Sequence, residues 1–548
     1  MQIDLGKIKI TWRGDFVGGT SYEADDAVHE NGSSYICTTP NSDATFTVSN
    51  WDVLAAGVPS FTTHGQIVFR GETGVELLEA GTSGFVLTTR GRDADPEWAL
   101  PSSRQGATVT ALPKTMYGGA YRSGGVIMSD NTLRAWGHAA TGNLGQGSTL
   151  SDRSAPTPPA FPSTTATVTQ WHRTGRSNWC LMSDGSVYVW GYNGYGQLGT
   201  GNTSQVNVPT KVAALDGITI VDISVGCSSS YDYNHVVFRT ATGTVYACGY
   251  NGYGQLGLGN TTTVSTPTAL DKTDFVSIKA VGAQFGCSFG IDTAGNLWAW
   301  GDGSSGKLGL GSTYLRVTTP QQVTLPATVS QVSSQDDRYA AAATFEGHTL
   351  VLLTDGRVYA AGDNSYGALG LGNTTNYTSF QHVSSLGTDN TEVIAAGGFH
   401  GYSIVRKTDG TIRTFGYNGY GQLGLGNTTN ISSPSQPAGV ADVTKVLPYG
   451  LYEYTGIAVL TSDGKVKTAG YNGNGQAGVG NTSNVTTFTE VLFMNQTITD
   501  ICTIGSTNEV GIGFLDNLGR YYQTGYGGGS QLPEDDDESI TVPYLVQF

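Results

Sequence analysis

One feature constrains the fold of this chain above all others: a glycine-rich segment that returns at a nearly constant interval. The segment GYNGYGQLGLGNTT occurs twice without a change, at residues 249–262 and 416–429. Six further copies, two close and four looser, begin at Gly137, Gly191, Gly301, Gly362, Gly470 and Gly525. Successive copies start 54, 58, 52, 61, 54, 54 and 55 residues apart. A period of this size predicts an array of small structural units.

Each copy follows two apolar runs that are joined by a tight turn, as in CLMSDGSVYVWG at residues 180–191. Asp-Gly between such runs is a strong β-hairpin signal, because glycine adopts the positive φ that the turn needs. An isolated hairpin cannot bury a face of its own, whereas a series of hairpins can if it closes radially. Residues 117–548 hold one hairpin per period, which predicts eight blades, with seven as the alternative.

The pattern DGxVYxWGxNxxGQLGxG resembles the repeat of the regulator-of-chromosome-condensation family over about residues 105–548. That resemblance implies an all-β fold, namely a closed β-propeller of four-stranded blades. The run Ile540–Phe548 matches the strand that elsewhere precedes each new blade, so we expect it to pair in the first blade and close the ring. We expect recurrent leucines to fill the gaps between neighbouring blades: Leu144, Leu198, Leu256, Leu308, Leu369 and Leu423.

The first 104 residues lack this repeat. Aromatic residues spaced around Asp26, Val28 and Gly32 resemble the small chitin-binding-like carbohydrate modules, although Asp25 stands where those modules have glycine. The resemblance implies a small three-stranded β domain over residues 1–58. Aromatic rings suit sugars because the apolar face of a pyranose can lie flat on them. The predicted carbohydrate-binding residues are Trp12, Tyr22, Tyr35 and Trp51, with a core role for these aromatics as the alternative.

A second stretch, residues 65–99, resembles a segment of bacteriophage tail-fibre proteins. The shared pattern is L-x-x-G-T-x-G-x-V-L-x-T-x-G followed by P-x-W, and it is matched by Leu78, Gly81, Thr82, Gly84, Val86, Leu87, Thr88, Gly91, Pro96 and Trp98. The resemblance implies an extended, fibre-type connector over residues 59–104. The connector has too few apolar residues for a core of its own, so we expect the chain to be a homo-oligomer through its first 100 residues, and the resemblance to trimeric fibres implies a homotrimer.

Charge and hydropathy exclude two classes of partner. The chain carries 28 basic and 44 acidic residues, a net charge of −16, and no basic tract, so no nucleic-acid binding is predicted. It has no run of 18 apolar residues, so no membrane span is predicted. The N-terminal residues alternate polar and apolar side chains, which is not the pattern of a secretory signal peptide.

Catalytic and metal-binding motifs are missing from the sequence. It has no HExxH, no GxSxG with ordered partners and no Walker loop, so we predict no catalytic residues, no metal site and no cofactor. Carboxylates brought together from distant blades remain one route to a polysaccharide-cleaving enzyme. The tract Glu534–Glu538 is predicted to be a solvated loop, with a divalent-cation site as the alternative.

Three further sets of residues are predicted to be structural. The six cysteines are expected to act as small buried apolar residues. Histidines near the first hairpin strand of a repeat, namely His235, His348 and His400, are expected to form structural hydrogen bonds. The asparagines of the GN-T-[ST] sequences are expected to form turns in preference to carrying glycans: Asn202, Asn260, Asn373, Asn427 and Asn481.

Tyrosines recur in the loops after the hairpins, where they could form a ring of aromatics on one face. The predicted receptor-binding residues are Tyr192, Tyr195, Tyr250, Tyr253, Tyr417, Tyr420 and Tyr471, with packing between blades as the alternative. Together with the fibre resemblance, these loops predict a non-enzymatic virion protein, a tail fibre or receptor-binding subunit in the virion tail. Its predicted partners are other tail proteins and a host cell-surface glycan or outer-membrane component. The alternatives are a bacterial surface lectin or adhesin, an exchange factor for a small GTPase, and the polysaccharide-cleaving enzyme.

Overall fold

The computed structural model divides the chain into two compact units, Met1–Gly106 and Ala107–Phe548. Backbone and side chains are described for residues 109–110, 124–137, 139, 141–147, 156–174, 176–226, 233–282, 285–313, 316–335, 347–397, 400–450, 454–493, 496–504, 511–525 and 539–546. For the remaining residues of the strands given below, the backbone alone is described.

The first unit contains one sheet and two hairpins. The sheet has the order β1-β2-β3-β4, with β1 (Thr11–Asp15), β2 (Asp26–Glu30), β3 (Ser33–Cys37) and β4 (Trp51–Ala56). It has four strands, where three were predicted, because β1 pairs in parallel with β2 beside the antiparallel pairs. The predicted connector holds two hairpins, β5 (Ile67–Gly71) with β6 (Gly74–Leu78) and β7 (Val86–Thr88) with β8 (Glu97–Ala99).

The second unit is an eight-bladed β-propeller, as the hairpin count predicted, and each blade is built on four antiparallel strands. Blade 1 contains β9 (Val109–Ala111), β11 (Ser123–Met128), β12 (Leu133–Gly137) and β13 (Arg153–Thr157). Blade 2 contains β14 (Val168–Arg173), β15 (Ser177–Met182), β16 (Val187–Gly191) and β17 (Val206–Lys211), and β10 (Thr115–Met116) adds to it in parallel. Blade 3 contains β18 (Ile220–Gly226), β19 (His235–Thr240), β20 (Val245–Gly249) and β21 (Val264–Ala269). Blade 4 contains β22 (Phe275–Val281), β23 (Cys287–Asp292), β24 (Leu297–Gly301) and β25 (Val317–Gln322).

The other four blades follow the same order of strands along the chain. Blade 5 contains β26 (Val329–Gln335), β27 (His348–Leu353), β28 (Val358–Gly362) and β29 (Tyr377–His382). Blade 6 contains β30 (Asn390–Ala396), β31 (Tyr402–Lys407), β32 (Ile412–Gly416) and β33 (Ile431–Ser435). Blade 7 contains β34 (Val443–Tyr449), β35 (Gly456–Thr461), β36 (Val466–Gly470) and β37 (Val485–Glu490). Blade 8 contains β38 (Ile498–Gly505), β39 (Val510–Asp516), β40 (Tyr521–Tyr526) and β41 (Ser539–Val546). Single 3-10 turns lie at Ala213–Leu215, Ser304–Gly306 and Ser384–Leu386.

The ring closes differently from the prediction. The C-terminal run was expected to pair in blade 1, but β41 pairs with β40 as the outer strand of blade 8. The physical reason is that the outer strand of each blade follows the third strand of the same blade along the chain, so the last blade keeps its own outer strand. Closure instead uses side-chain packing, in which the rings of Trp136 and Tyr521 meet at 5.8 Å, and a hydrogen bond of 2.9 Å from the Val109 N–H to the Gly519 carbonyl.

That closing hydrogen bond is the same one that joins neighbouring blades elsewhere. The first N–H of an inner strand donates to the glycine carbonyl of the preceding blade's hairpin turn, as in Ile220 to Gly185 at 3.1 Å and Val443 to Gly410 at 2.9 Å. The ends of the chain therefore meet through a contact that the repeat already provides. No strand exchange is needed to seal the ring.

The predicted role of the repeated leucines is confirmed. All six are buried, and Leu198 packs between the strands of blade 2, represented by Val189, and those of blade 3, represented by Val236 and Phe238. Burial of one such side chain stabilises a protein by about 1.5–3 kcal/mol. The leucines therefore contribute to the packing that holds each blade to the next.

Candidate functional site

The loops that follow the third strand in blades 2, 3, 5, 6 and 7 are held in one shape by a buried asparagine. In blade 2 the Asn193 side-chain oxygen accepts the Leu198 N–H at 2.9 Å, and its amide donates to the carbonyls of Asn202 and Ser204 at 3.0 and 3.1 Å. The Gln197 side-chain oxygen accepts the Tyr195 N–H at 2.9 Å. The same asparagine recurs at Asn251, Asn364, Asn418 and Asn472. Since buried polar groups with every bond satisfied rigidify their surroundings, these loops are preorganised.

The GN-T-[ST] turns are part of this loop, as predicted. The Asn202 side-chain oxygen accepts the Ser204 N–H at 2.8 Å, and the equivalent bonds at Asn260, Asn373, Asn427 and Asn481 measure 2.8 to 2.9 Å. The asparagine side chain therefore closes the turn on its own backbone.

Glycine two residues after the first tyrosine lets that ring fold back onto the loop. A Cβ added at Gly194 would lie 2.2 Å from the Tyr192 hydroxyl oxygen, and one added at Gly252 would lie 2.2 Å from that of Tyr250. No side chain fits at that distance. The tyrosine therefore lies along the loop, half-buried, instead of extending into solvent.

Three blade junctions carry a cluster of three aromatic rings taken from two blades. Tyr195 of blade 2 meets Tyr233 and Tyr250 of blade 3 with centroid separations of 4.5 and 5.5 Å, and the latter two lie 4.8 Å apart. Tyr366 of blade 5 meets His400 and Tyr417 of blade 6 at 4.4 and 5.3 Å. Tyr420 of blade 6 meets Tyr454 and Tyr471 of blade 7 at 5.8 and 5.4 Å. Such edge and tilted pairs are each worth about 0.5–1.5 kcal/mol beyond their area burial.

Arginine side chains lie against aromatic rings at a fourth blade junction and beside Tyr192. Tyr253 of blade 3 lies 4.9 Å from Phe285 of blade 4, and the Arg316 guanidinium stands 5.5 Å from the Tyr253 ring centre. At the other end the Arg176 guanidinium stands 5.7 Å from the ring centre of Tyr192. These distances are those of cation–π contacts.

The aromatic residues form two series on the same side of the ring. The first arc spans blades 2–4 and consists of Arg176, Tyr192, Tyr195, Tyr233, Tyr250, Tyr253, Phe285 and Arg316. The second arc spans blades 5–7 and consists of Tyr366, His400, Tyr417, Tyr420, Tyr454 and Tyr471. All seven tyrosines that the sequence singled out lie in these arcs, and all are half-buried.

The sequence reasoning missed the members that come from the start of the second strand. Tyr233, Phe285, His400 and Tyr454 each stand two residues before that strand begins. Their recurrence at one position of the repeat is a signal that could have identified them. The two interpretations of the loop tyrosines do not exclude each other, because all the predicted tyrosines except Tyr192 pack across a junction and all seven keep part of their surface exposed.

Burial shifts the titration of three phenol groups of the arcs. It raises the pKa of Tyr195, Tyr250 and Tyr471, and the neighbouring ring of Tyr233 adds to the effect at Tyr195 through a hydrogen bond. A phenol with a raised pKa retains its proton at neutral pH.

A buried ion pair interrupts the aromatic series between the two arcs. In the blade 4 loop, Asp302 stands at the position of the first tyrosine and Lys307 at that of the glutamine. The Lys307 ammonium lies 2.5 Å from an Asp302 carboxylate oxygen, and both side chains are at most 1 % exposed. Ser304 donates to the same carboxylate. Blade 4 thus keeps the loop shape with a different set of contacts.

Outside the arcs, the histidines and cysteines that were predicted to be structural have structural contacts wherever their side chains are described. The His235 ring nitrogen lies 3.1 Å from the Ser288 hydroxyl and that of His348 lies 2.9 Å from the Ser403 hydroxyl, each bond joining two blades. His400 instead lies in the second arc. Cys180, Cys248, Cys287 and Cys502 are buried free thiols, as predicted, and the side chains of Cys37 and Cys227 are not among those described.

Several predicted features stay predictions. Trp12, Tyr22, Tyr35 and Trp51 lie outside the residues whose side chains the structure describes, and so does the tract Glu534–Glu538. Within the described part of the chain, no three His, Cys, Asp or Glu residues are grouped so as to hold a metal ion. In that same part, no helix is long and apolar enough to span a membrane.

Comparison with known proteins confirms the repeat. The family model of the regulator of chromosome condensation (RCC1) repeat matches residues 184–231, 242–290, 294–337 and 409–447, and a second model of that repeat matches residues 346–368. Human WBSCR16 has a similar structure, with a TM-score of 0.50 and 19% identity, covering 70% of this chain and 98% of that one. The chain therefore carries RCC1-like repeats that form an eight-bladed propeller.

Two curated relatives are similar in sequence. The ultraviolet-B receptor UVR8 of Arabidopsis thaliana is 31% identical over 302 residues, which cover 55% of this chain and 64% of the receptor. The E3 ubiquitin-protein ligase HERC2 of Homo sapiens is 27% identical over 355 residues, which cover 64% of this chain and 7% of the ligase. The chain thus spans less than two thirds of the receptor and a small fraction of the ligase.

These relatives overturn the functional prediction. They are eukaryotic proteins, a receptor and a ligase, and none of them is a virion component. The expectation of a tail fibre or receptor-binding subunit located in the virion tail is therefore wrong, and so are the lectin and polysaccharide-cleaving alternatives. The predicted partners, namely other tail proteins and a host glycan or outer-membrane component, are wrong for the same reason. The homotrimer rested on the fibre resemblance and loses its basis with it.

Proposed function

We propose that this chain is a non-catalytic regulatory module that binds a partner protein through the aromatic arcs of its propeller. The observation that carries the proposal is the pair of arcs, in which half-buried rings from adjacent blades form two preorganised surfaces on one side of the ring. The arcs are shallow and repetitive, which suits contact with another protein surface better than the enclosure of a small substrate.

The residue types of the arcs are those of protein-protein contacts. Tyrosine and arginine are enriched among the residues that dominate binding energy, because each buries a large area and carries a polar end. Tyrosine loses little conformational entropy on binding, since only two side-chain torsions are ordered. Here the torsions are further restricted, because Tyr192 and Tyr250 fold over a glycine and Tyr195 packs against two rings of the next blade. Preorganisation of this kind lowers the cost of association.

The relatives support a regulatory role for the repeat. One is named as a receptor and the other as a ligase, and the region similar to this chain makes up 7% of the ligase. A segment that makes up so small a share of the enzyme is better interpreted as a binding module than as the part that catalyses the reaction. We therefore assign recognition, and no reaction, to the propeller of this chain.

Site-specific photocrosslinking tests the proposal. We expect a photoreactive phenylalanine analogue placed at Tyr195, Tyr253 or Tyr420 of the full chain to crosslink one and the same protein from cells that contain it. The matched control is the same analogue at Tyr359, a tyrosine outside the arcs that stacks on His382 at 5.1 Å. We then expect Tyr195→Ala to weaken the affinity for that purified protein about tenfold or more, a loss of about 1.4 kcal/mol, and Tyr359→Ala to leave it unchanged.

Two results would contradict the proposed function. The first is equal crosslinking from Tyr359 and from the arc positions. The second is an unchanged affinity of Tyr195→Ala for the crosslinked protein, given that thermal unfolding shows the variant to be folded.

A further inference from the structure

We propose that a polar cleft in blade 7 binds a small zwitterion of the α-amino-acid class, with Lys467 bonding its carboxylate and Asp442 bonding its ammonium group. The cleft has a volume of about 780 Å³ and lies between residues 436–442, which lead into blade 7, and the hairpin and outer strand of that blade. Ligand sites in proteins commonly measure about 300–1,000 Å³. The cleft is at the hairpin-turn end of the strands, whereas the aromatic arcs lie in the loops at the other end, so the inference does not depend on the arcs.

The cleft opens where blade 7 departs from the repeat. The second residue of the third strand is aromatic in five blades: Tyr188, Tyr246, Trp298, Tyr359 and Tyr522. In blade 7 this position holds Lys467.

The aromatic residue closes the corresponding space in other blades by packing on the segment that leads into the same blade. Tyr522 meets Phe493 at 5.9 Å, and the Lys272 ammonium lies 4.5 Å from the ring centre of Trp298. The segment that leads into blade 7 has the small Gly439 on the cleft, where an added Cβ would meet no atom within 4 Å. The space that bulky side chains fill elsewhere therefore stays open in blade 7.

The last residue of the second strand also leaves the cleft open. In blade 6 this residue is Lys407, whose ammonium bonds the Leu386 carbonyl and lies 2.5 Å from an Asp389 carboxylate oxygen, both in the segment that leads into that blade. In blade 7 it is Thr461, whose hydroxyl group instead donates to Asp463 in its own turn at 2.6 Å. The shorter side chain does not reach across to the leading segment.

Some of the charged groups of the cleft already have partners. The Lys465 ammonium lies 3.1 Å from a Glu490 carboxylate oxygen, and both side chains are about half exposed. The Asp463 carboxylate accepts the Thr461 hydroxyl and, at 3.3 Å, the Lys465 N–H. These groups hold the wall of the cleft and leave two others to determine what binds.

Lys467 and Asp442 carry the two charges that have no ion-pair partner among the described residues. The half-buried Lys467 ammonium donates to the Gly439 carbonyl at 2.7 Å, which uses one of its three N–H groups. Asp442 lines the same cleft with an exposed side chain that forms no hydrogen bond or ion pair with a described residue. An ammonium and a carboxylate thus face one cleft without bonding each other.

The two opposite charges select a ligand that carries both signs. A simple anion would be attracted by Lys467 but repelled by Asp442, and a simple cation would meet the reverse. An α-amino acid satisfies both, because it carries a carboxylate and an ammonium group on one carbon, and hydrogen bonds between charged groups are the strong ones. Pro437 and Val440, which also line the cleft, offer apolar surface to an aliphatic side chain.

Equilibrium dialysis of the full chain against an equimolar mixture of the standard amino acids tests the inference. We expect mass spectrometry to find at least one aliphatic amino acid enriched on the protein side. Lys467→Gln and Asp442→Asn should each weaken the affinity for the most enriched amino acid about tenfold or more. The glutamine at 467 keeps an N–H donor for the Gly439 carbonyl, so this variant removes the charge and preserves a donor.

Two analogues of the most enriched amino acid separate the roles of the two residues. The analogue that lacks the ammonium group and the one that lacks the carboxylate should each bind the parent protein about tenfold more weakly in isothermal titration calorimetry. Asp442→Asn should weaken binding of the amino acid and leave binding of the analogue without the ammonium group no weaker. A purely structural role of Asp442 would lower both affinities alike.

The matched control is Lys211→Gln, an exposed lysine on the outer strand of blade 2 that pairs with Asp216. It should leave the affinity for the amino acid unchanged. The inference is overturned if no standard amino acid is enriched, or if Lys467→Gln binds the enriched one as tightly as the parent protein does. Thermal unfolding shows whether each variant is folded, and neither outcome bears on the aromatic arcs, which are tested with a partner protein.

Discussion

Replacement of Lys307 by methionine is expected to lower the free energy of unfolding by about 3–5 kcal/mol. The reason is that Asp302 would remain in the blade 4 loop, with no exposed surface and without the ammonium group that now lies 2.5 Å away. A buried carboxylate that loses its partner costs far more than the net gain from the pair itself. Urea unfolding followed by tryptophan fluorescence measures this, since Trp300 of blade 4 is buried and donates to the Gln255 carbonyl of the loop before it.

A second variant separates the charge from the shape of the loop. Asp302→Tyr combined with Gly303→Asn, Ser304→Gly and Lys307→Gln restores the residues that stand at these positions in blade 3, namely Tyr250, Asn251, Gly252 and Gln255. We expect this quadruple variant to recover most of the stability that the single variant loses, because the loop then has the tyrosine, its glycine and the bonding asparagine of its own repeat. A single Lys307→Met variant within about 0.5 kcal/mol of the parent protein, the range of ordinary surface substitutions, would show that the pair is not essential to the loop.

Acidification from pH 7 to pH 5 is expected to cost about 2 kcal/mol of stability for each of two buried histidines. Burial lowers the pKa of His235 to about 3 and that of His348 to about 4, and hydrogen bonds to the backbone only partly offset the effect. In the unfolded chain both rings titrate near their usual value of about 6.5. The unfolded state therefore binds more protons below that pH, and stability falls until the pH reaches the folded-state values.

The variants His235→Gln and His348→Gln remove the two titrations. Their stability should depend less on pH between 7 and 5 than that of the parent protein, by about 2 kcal/mol each. His382→Gln is the matched control, because that ring is exposed on the outer strand of blade 5. The carboxyl groups of Asp130 and Asp184 do not confuse the measurement, since their pKa values are lowered and they titrate below this range. A parent protein whose stability is flat over this interval would contradict the assignment.

The features that the sequence predicted are those that depend on neighbours along the chain. A hairpin needs only its two runs and the turn between them, so counting hairpins gave eight blades. Leu198 and Leu423 were correctly assigned to the gaps because their spacing from the motif glycine recurs. The outer strand of one blade directly precedes the next blade, however, so Ile540–Phe548 could be assigned to either, and the structure places β41 in blade 8.

The site was predicted in part, because it is assembled across blades. Tyr195 was found from its own loop, but its partners Tyr233 and Tyr250 belong to the next repeat, and only the ring brings the three together. The buried Asp302–Lys307 pair lies within one loop of blade 4, but nothing in the sequence shows that the two side chains face each other. The tail-fibre prediction came from the first 104 residues, whereas the repeat region is similar to parts of a eukaryotic receptor and a eukaryotic ubiquitin ligase. A fold assignment does not carry a function with it.

Hydroxyl-radical footprinting of the full chain with its crosslinked partner protein tests most directly whether the aromatic arcs are the binding surface. Oxidation of Tyr195, Tyr253 or Tyr420, which are half-buried in the free chain, should fall in the complex. Oxidation of Tyr359, which lies outside the arcs, should stay the same. Unchanged oxidation of all three arc tyrosines in a complex that is fully formed would contradict the account, because the partner would then be bound elsewhere on the molecule.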